Sequence, residues 1–207
     1  MEPVITIPGT AVPLDRSDVD TDQIIPSAYL KRVARVGYAD GLFAAWRSDP
    51  GFVLNDPRRT GAVVLVAGPN FGCGSSREHA AWALLEHGFG AVVAPSFADI
   101  FCSNALANGL VPACVDPSAV TTLLRALDRD PSIEVIVDVA EREVRAPALG
   151  LRASFPLDDF SRRRLLEGAD GVELALRHEP AIAAYERQRP SWLPTVAAPV
   201  RRPPRRA

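Results

Sequence analysis

The segment AVVLVAGPNFGCGSSREHAAWALLEHGFGAVVAPSFADIFCSNALANGLVPACV, residues 62–115, decides the fold class. It opens on AVVLVA (62–67), a β-branched run closed by Gly68-Pro69-Asn70, which reads as a buried strand ending in a turn. A helical stretch follows as far as His87, where Gly88 supplies a C-terminal stop. AVVAPS (91–96) is a second short strand, FADIFCSNALANG (97–109) a second helix ending at Gly109, and LVPACV (110–115) a third strand. Strand–helix–strand–helix–strand at this spacing predicts an α/β fold with a parallel central sheet.

Further out the pattern is less regular. Residues 118–129 make an amphipathic helix, and IEVIVDVAEREVRA (133–146) alternates like a hairpin or a long exposed strand. Upstream, VITIPGTAVPL (4–14) suggests an edge strand and turn. The polar DRSDVDTDQIIP (15–26) cannot stay regular for long, because Pro26 removes a donor and restricts Ile25. Residues 37–50 read as a short helix and a loop. The whole stretch 26–50, with Pro26, Gly37, Gly41 and little continuous apolar pattern, is expected to be mobile until a partner docks. Residues 158–188 look helical with glycine breaks, and the Pro/Arg-rich end (195–207) is expected to be a disordered tail following a domain at 1–194.

Composition sets the outer bounds. At 207 residues, 47% of them hydrophobic, the chain can bury a sizeable core. A formal net charge of −2 gives no electrostatic reason to expect nucleic acid or a membrane surface as partner. The opening MEPVITIPGT lacks the basic and apolar regions of a secretory signal, and apolar runs are strand-sized, so a cytoplasmic location is expected. Cys73, Cys102 and Cys114 are odd in number and have no metal-ligand spacing, so free thiols and no metal on this chain are expected. All but one of the 23 basic residues are arginine, the exception being Lys31.

The chemistry concentrates in GCGSSREH (72–79). Ser75 followed three residues on by Glu78 matches a capping box, which predicts a helix start at about Ser75. Gly72 and Gly74 before it allow a sharp turn and a close backbone approach to a ligand. Free N–H groups, two hydroxyls and the Arg77 guanidinium then gather at a positive helix end, which makes an anion site. The stretch matches neither the Walker phosphate loop nor G-x-G-x-x-G, since Arg77 stands where the third glycine belongs. The residues alone therefore give a carboxylate or phosphate site and no reaction, and a non-catalytic anion-binding module remains open.

GCGSSREHAAWAL resembles the G-x-G-S-S-R-E-H signature of the aconitase superfamily's swivelling domain. Three further blocks agree in order and spacing: DVDTDQIIPSAYLKR (18–32), VVAPSFADIFCSNALANGLVPACV (92–115) and LLEGADGVELALRHEPAIAAYERQRPSWLP (165–194). The last is similar to the C-terminal segment of 3-isopropylmalate dehydratase small subunits. The resemblance covers nearly all of residues 1–194.

It implies a three-layer β/β/α swivelling domain that closes over a large-subunit partner, as heterodimer or heterotetramer, with a [4Fe–4S] cluster on that partner. The substrate would be a small hydroxy dicarboxylic acid, dehydrated and rehydrated in leucine biosynthesis. Citraconate-, dimethylmalate- or homoaconitate-type hydro-lyases share the fold and stay open at this point.

On this resemblance Ser75 occupies the base position, with its alkoxide stabilised by helix N–H groups and Arg77. Arg77 would also grip a substrate carboxylate and Ser76 donate to it. Asp22 would orient the site, its alternative being an Asx-type turn before Pro26. His79 reads as a structural, hydrogen-bonded histidine rather than a general acid. Tyr29, Leu30, Lys31 and Arg32 fall at the loop that recognises the substrate's variable side group, with Arg32 or Arg35 in place of the arginine that aconitase-type relatives carry there.

Overall fold

Val64–Ala67 is buried at every residue, because both faces of the strand are covered. That is the structural meaning of a continuous apolar run without alternation. The computed structural model describes residues 1–31, 36–190 and 192–193. It divides the chain into a unit of residues 1–170 and a second of residues 171–207.

In chain order the first unit contains β1 (Thr6–Leu14), α1 (Thr21–Ile24), α2 (Ala44–Arg47), β2 (Val64–Ala67), α3 (Glu78–His87), β3 (Ala91–Ala94) and α4 (Asp99–Asn108). It continues with β4 (Val111–Cys114), α5 (Pro117–Arg129), β5 (Glu134–Asp138), β6 (Glu143–Ala146), β7 (Leu151–Ser154) and α6 (Asp159–Glu167). The second unit contributes α7 (Gly171–Leu176) and α8 (Glu179–Arg187). These two helices, with α6 and its C-terminal Gly168 before them, match the glycine-broken helical stretch read from the sequence.

The strands form one seven-stranded sheet in the order β4-β3-β2-β1-β5-β6-β7. Pairing is parallel from β1 through β4 and antiparallel through β5, β6 and β7, so the sheet is mixed rather than purely parallel. Residues 133–146 resolve as a hairpin, with Val135, Val137 and Val144 fully buried.

β1 is the central strand, not an edge. Its first half, Thr6–Thr10, pairs antiparallel with β5, and its second half, Ala11–Leu14, pairs parallel with β2. Pro8 and Pro13 each lie in a half with a ladder on one side only. A missing donor can face the open side there, which is how an interior strand tolerates residues usually confined to edges.

Each face of the parallel strands carries its own core. Val12, Leu65, Ala67, Val92 and Ala94 point toward α1, α3 and α4, whereas Ala11, Val64, Val66, Ala91 and Val93 point toward α5 and the antiparallel strands. Helices on one side and the antiparallel strands with α5 on the other give the layered arrangement its two apolar interiors.

Residues 38–52 depart from the expectation of a mobile segment. Tyr38, Leu42, Phe43 and Phe52 are buried in the first core. The Phe43 amide donates to the Ile24 carbonyl at 2.8 Å, and the Glu86 carboxylate accepts from the amides of Tyr38 and Ala39. Four aromatic and aliphatic anchors within fifteen residues, spaced irregularly, do not show as a periodic pattern, which is why the sequence shows only a short helix and a loop there, the helix being α2. The tail at 195–207 and the residues Arg32 and Arg35 lie outside the described residues.

One contact fastening this segment is sensitive to acid. Arg47 Nη2 lies 3.3 Å from both ring nitrogens of His87. Burial first, and the Arg47 charge second, hold the imidazole below its ordinary range. The unfolded chain takes up this proton near pH 6.5 while the folded one resists it, so the stability held here is present above about pH 6.5 and lost as pH falls below it. The urea midpoint of the wild-type protein should therefore drop between pH 7.5 and pH 5.5. In His87→Phe, which keeps a ring against Phe89, that drop should be shallower; an unchanged pH profile would remove His87 from the acid response.

Candidate functional site

Three loops leave the carboxyl ends of β1, β2 and β3 side by side, the position at which parallel α/β sheets bind ligands. Residues 68–77, the loop after β2, are stitched to both neighbours through the backbone. On the β1 side, Gly72 N–H donates to the Val19 carbonyl at 2.8 Å and Thr21 N–H to the Cys73 carbonyl at 2.9 Å. On the β3 side, Phe71 N–H donates to Ser96 and Ala98 N–H to Phe71, both at 3.1 Å.

The glycines in this loop have different reasons. A Cβ on Gly72 would lie 2.3 Å from the Phe101 ring, and its φ is +78°. The close approach expected of a ligand is made by α4's own phenylalanine. Gly74, at φ +87°, faces only ordinary contact distances, so the turn itself is what requires it.

The helix does not start at Ser75. α3 begins at Glu78 with Arg77 as its N-cap, in extended conformation and with no side-chain cap. The Thr21 hydroxyl holds the Ser75 carbonyl at 2.9 Å, and Gly74 turns the chain before it, so Ser75 and Ser76 run outside the helix. Glu78 does not reach back to Ser75; its carboxylate accepts from Asn108 Nδ2 at 2.9 Å, and Asn108 Oδ1 accepts from Trp82 Nε1 at 2.9 Å. This chain of bonds fixes α3 against α4. The capping box the sequence holds instead is Asp20 and Gln23, at the head of α1, with Gln23 N–H to Asp20 Oδ1 at 2.8 Å and Asp20 N–H to Gln23 Oε1 at 3.0 Å.

Between α3 and α4 lies a cleft of about 230 Å³. Thr21, Gly74, Ser75 and Arg77 line one side, and Ala98, Asp99, Ile100 and Asn104 the other. Both helix starts open on it, and neither N-cap residue, Arg77 or Ala98, caps its helix with a side-chain hydrogen bond. Two uncapped N-termini with an arginine at one of them make a strongly anion-seeking concavity, partly offset by Asp99.

Sequence reading placed Asp22, Ser75 and Arg77 in one site, and the structure brings all three to the same edge. Asp22, in the first turn of α1, forms an ion pair with Arg77; the arginine side chain is 17% exposed and the aspartate 52%. An Asx turn before Pro26 is not what Asp22 makes. Ser75 is exposed at the cleft and its hydroxyl has no partner among the described residues; Ser76 is exposed as well.

The recognition-loop residues sit elsewhere. Tyr29 packs its ring over Gly41, where a Cβ would come within 2.8 Å, Leu30 is half-buried, and Lys31 ends the 3₁₀ turn Ser27–Lys31, exposed. None of these three lines the cleft. His79 packs between rings, 5.3 Å from the Tyr38 centroid and 4.7 Å from that of Trp82, and its ring makes no hydrogen bond among the described residues.

What the sequence missed is the far wall: the start of α4, whose place opposite Ser75 follows once β2 and β3 are parallel neighbours. Among the described residues no group of three His, Cys, Asp or Glu side chains is placed to hold a metal. The thiols are shielded: burial, then Asp20 and Asp18, raise Cys73, and burial, then Cys114 and Asp99, push Cys102 up to about 11.

Residues 1–117 match the aconitase C-terminal domain family. A 3-isopropylmalate dehydratase small subunit of Parafrankia is 58% identical over 189 residues, covering 91% of this chain and 96% of that protein. Another, from Acidothermus cellulolyticus, is 56% identical over 198 residues, covering 96% of this chain and all of that protein. A crystal structure described as 3-isopropylmalate dehydratase from Methanocaldococcus jannaschii aligns with a TM-score of 0.62 at 31% identity, over 88% of this chain and 99% of that one.

The packing of the loop against α4 makes a direct test. Gly72→Ala meets both a left-handed φ and the Phe101 ring, and should destabilise the protein by about 3 kcal/mol. Gly74→Ala meets only the φ term, about 1 kcal/mol. Urea unfolding of both variants checks the order; equal losses would show that Phe101 does not constrain the loop.

Proposed function

The chain belongs to the small subunits of 3-isopropylmalate dehydratases, and from that premise we propose that it forms the mobile half of a hydro-lyase, active with its large subunit. The reaction would be the isomerisation of 2-isopropylmalate to 3-isopropylmalate by dehydration and rehydration, in leucine biosynthesis and in the cytoplasm. The observation that carries this reading is the juxtaposition of a Ser75 hydroxyl without a partner among the described residues with the Asp22–Arg77 pair at a cleft opened on by two helix N-termini.

Moving water between adjacent carbons begins with loss of a carbon-bound proton beside a carboxylate. Ser75 Oγ takes that proton in the forward direction and returns it in the reverse. A serine alkoxide is unstable in water, and the uncapped N–H groups and the guanidinium are the positive ends available to support it. Arg77 offers a planar fork to a substrate carboxylate, and Asp22 fixes the orientation of that fork through the pair. Ser76 supplies a second donor from the same loop. Tyr29, Leu30, Lys31 and Arg32 are proposed to read the isopropyl side once the partner closes over them.

Departure of hydroxide calls for a Lewis acid, which we assign to a [4Fe–4S] cluster on the large subunit. The side chains of this chain do not fit such a cluster: no group of three His, Cys, Asp or Glu forms a ligand set among the described residues.

The test is turnover of 2-isopropylmalate by the reconstituted pair. Ser75→Ala should leave the melting temperature unchanged, because the hydroxyl neither caps α3 nor bonds to a neighbour, and should lower kcat by at least about 10²–10⁴-fold with KM little changed. Arg77→Lys keeps charge but loses the fork, so KM should rise and kcat fall together. A Ser75→Ala enzyme with near-normal turnover would overturn the reading.

A further inference from the structure

Thr21 is one of few polar side chains buried in the first unit, at 2% exposure. A valine would fill the same volume without taking a hydroxyl out of water. The hydroxyl instead reaches 54 residues along the chain and donates to the Ser75 carbonyl at 2.9 Å. The same residue's N–H donates to the Cys73 carbonyl at 2.9 Å, so Thr21 grips the loop on both sides of Gly74. Asp22, the next residue, grips Arg77. Consecutive residues of α1 thus hold positions 73, 75 and 77.

Around Ser75 little else does so. Gly74 before it sits at φ +87°, a position with the widest backbone freedom, and α3 starts only at Glu78. Among the described residues the Thr21 hydroxyl makes the one side-chain hydrogen bond that reaches Ser75.

We infer that Thr21 is a positioning residue: its hydroxyl sets where the Ser75 side chain stands relative to Arg77. This rests on Ser75 acting as the base. The bond goes to the Ser75 carbonyl, so it fixes the peptide from which the reactive side chain departs while leaving Oγ open to the cleft. Without it the peptide after Gly74 can rotate, and misplacement by about 1 Å is enough to slow a proton transfer on the order of 10²-fold.

The experiment uses the reconstituted two-subunit enzyme with Thr21→Val, Thr21→Ser, Thr21→Ala and, in parallel, Ser75→Ala. Thr21→Val should lower kcat by about 10–100-fold with KM within about twofold. The kinetic isotope effect with substrate deuterated at the carbon that loses its proton should rise, because proton removal becomes slower than the other steps. Thr21→Ser, which keeps the hydroxyl, should recover most of the kcat.

A purely structural role would show instead as a lowered melting temperature with an unchanged isotope effect, and would overturn the inference. So would a Thr21→Val enzyme that turns over normally while Ser75→Ala is inactive, an outcome that leaves the proposed function standing. Turnover surviving in Ser75→Ala would remove both. If Thr21→Val does not fold, Thr21→Ser against Thr21→Ala still isolates the hydroxyl: a kcat ratio near one would refute the role, and a ratio of tens would support it.

Discussion

Backbone hydrogen bonds between residues 18–21, 69–73 and 96–98 are the constraint on which the candidate site depends. They prolong the β1–β2–β3 pairing beyond the strands themselves, so three loops that would otherwise move independently share one framework. A loop on a sheet edge is usually the least ordered part of an α/β protein. Here the loop with Ser75 is the middle element of three, bonded through residues 69–73 to both neighbours. Gly72 and Gly74 make its left-handed turns without strain, and the missing Cβ of Gly72 leaves the space that Phe101 fills.

That framework explains which parts of the structure were legible in the sequence. Strands and helices of 62–115 could be read because each carries a local signal: β-branched runs, and glycines at 88 and 109 that do sit in the left-handed region. The signature stretch marked the correct edge of the sheet. α3 starts later than the capping-box spacing of Ser75 and Glu78 predicts because both residues are engaged elsewhere, Ser75 through its carbonyl with Thr21 and Glu78 with Asn108. The box with the same logic at Asp20 and Gln23 opens a helix of only four residues, too short to show a period. A three-residue spacing shows what a side chain can reach, and long-range partners decide whether it does.

β1 illustrates the same limit at the scale of the sheet. Two prolines and a glycine within nine residues argue for an edge, and a strand paired along its whole length on both sides would exclude them. The fold evades that rule by changing neighbours halfway along the strand. No local pattern announces such a change, because it depends on where β2 and β5 come to lie. The buried anchors at Tyr38, Leu42 and Phe43 were hidden for a related reason: they face a core made by elements far away in sequence, and their spacing has no period.

The electrostatics of the cleft suit a site completed by a second chain. An ion pair as open as Asp22–Arg77 is worth little in water, on the order of 0–1 kcal/mol, and the dipoles of α3 and α4 are similarly diluted while solvent reaches their ends. Covering the cleft lowers the effective dielectric and strengthens every one of these interactions at the same moment. The pair also keeps the cost of covering modest. An arginine buried alone beside two positive helix ends would resist desolvation, whereas one already matched to Asp22 is nearly neutral and can still offer the remaining prongs of its fork. Under the proposed function the small subunit therefore brings geometry, fixed before docking by residues 18–22 and 71–77, and the large subunit brings both the Lewis acid and the exclusion of water that gives this geometry its force.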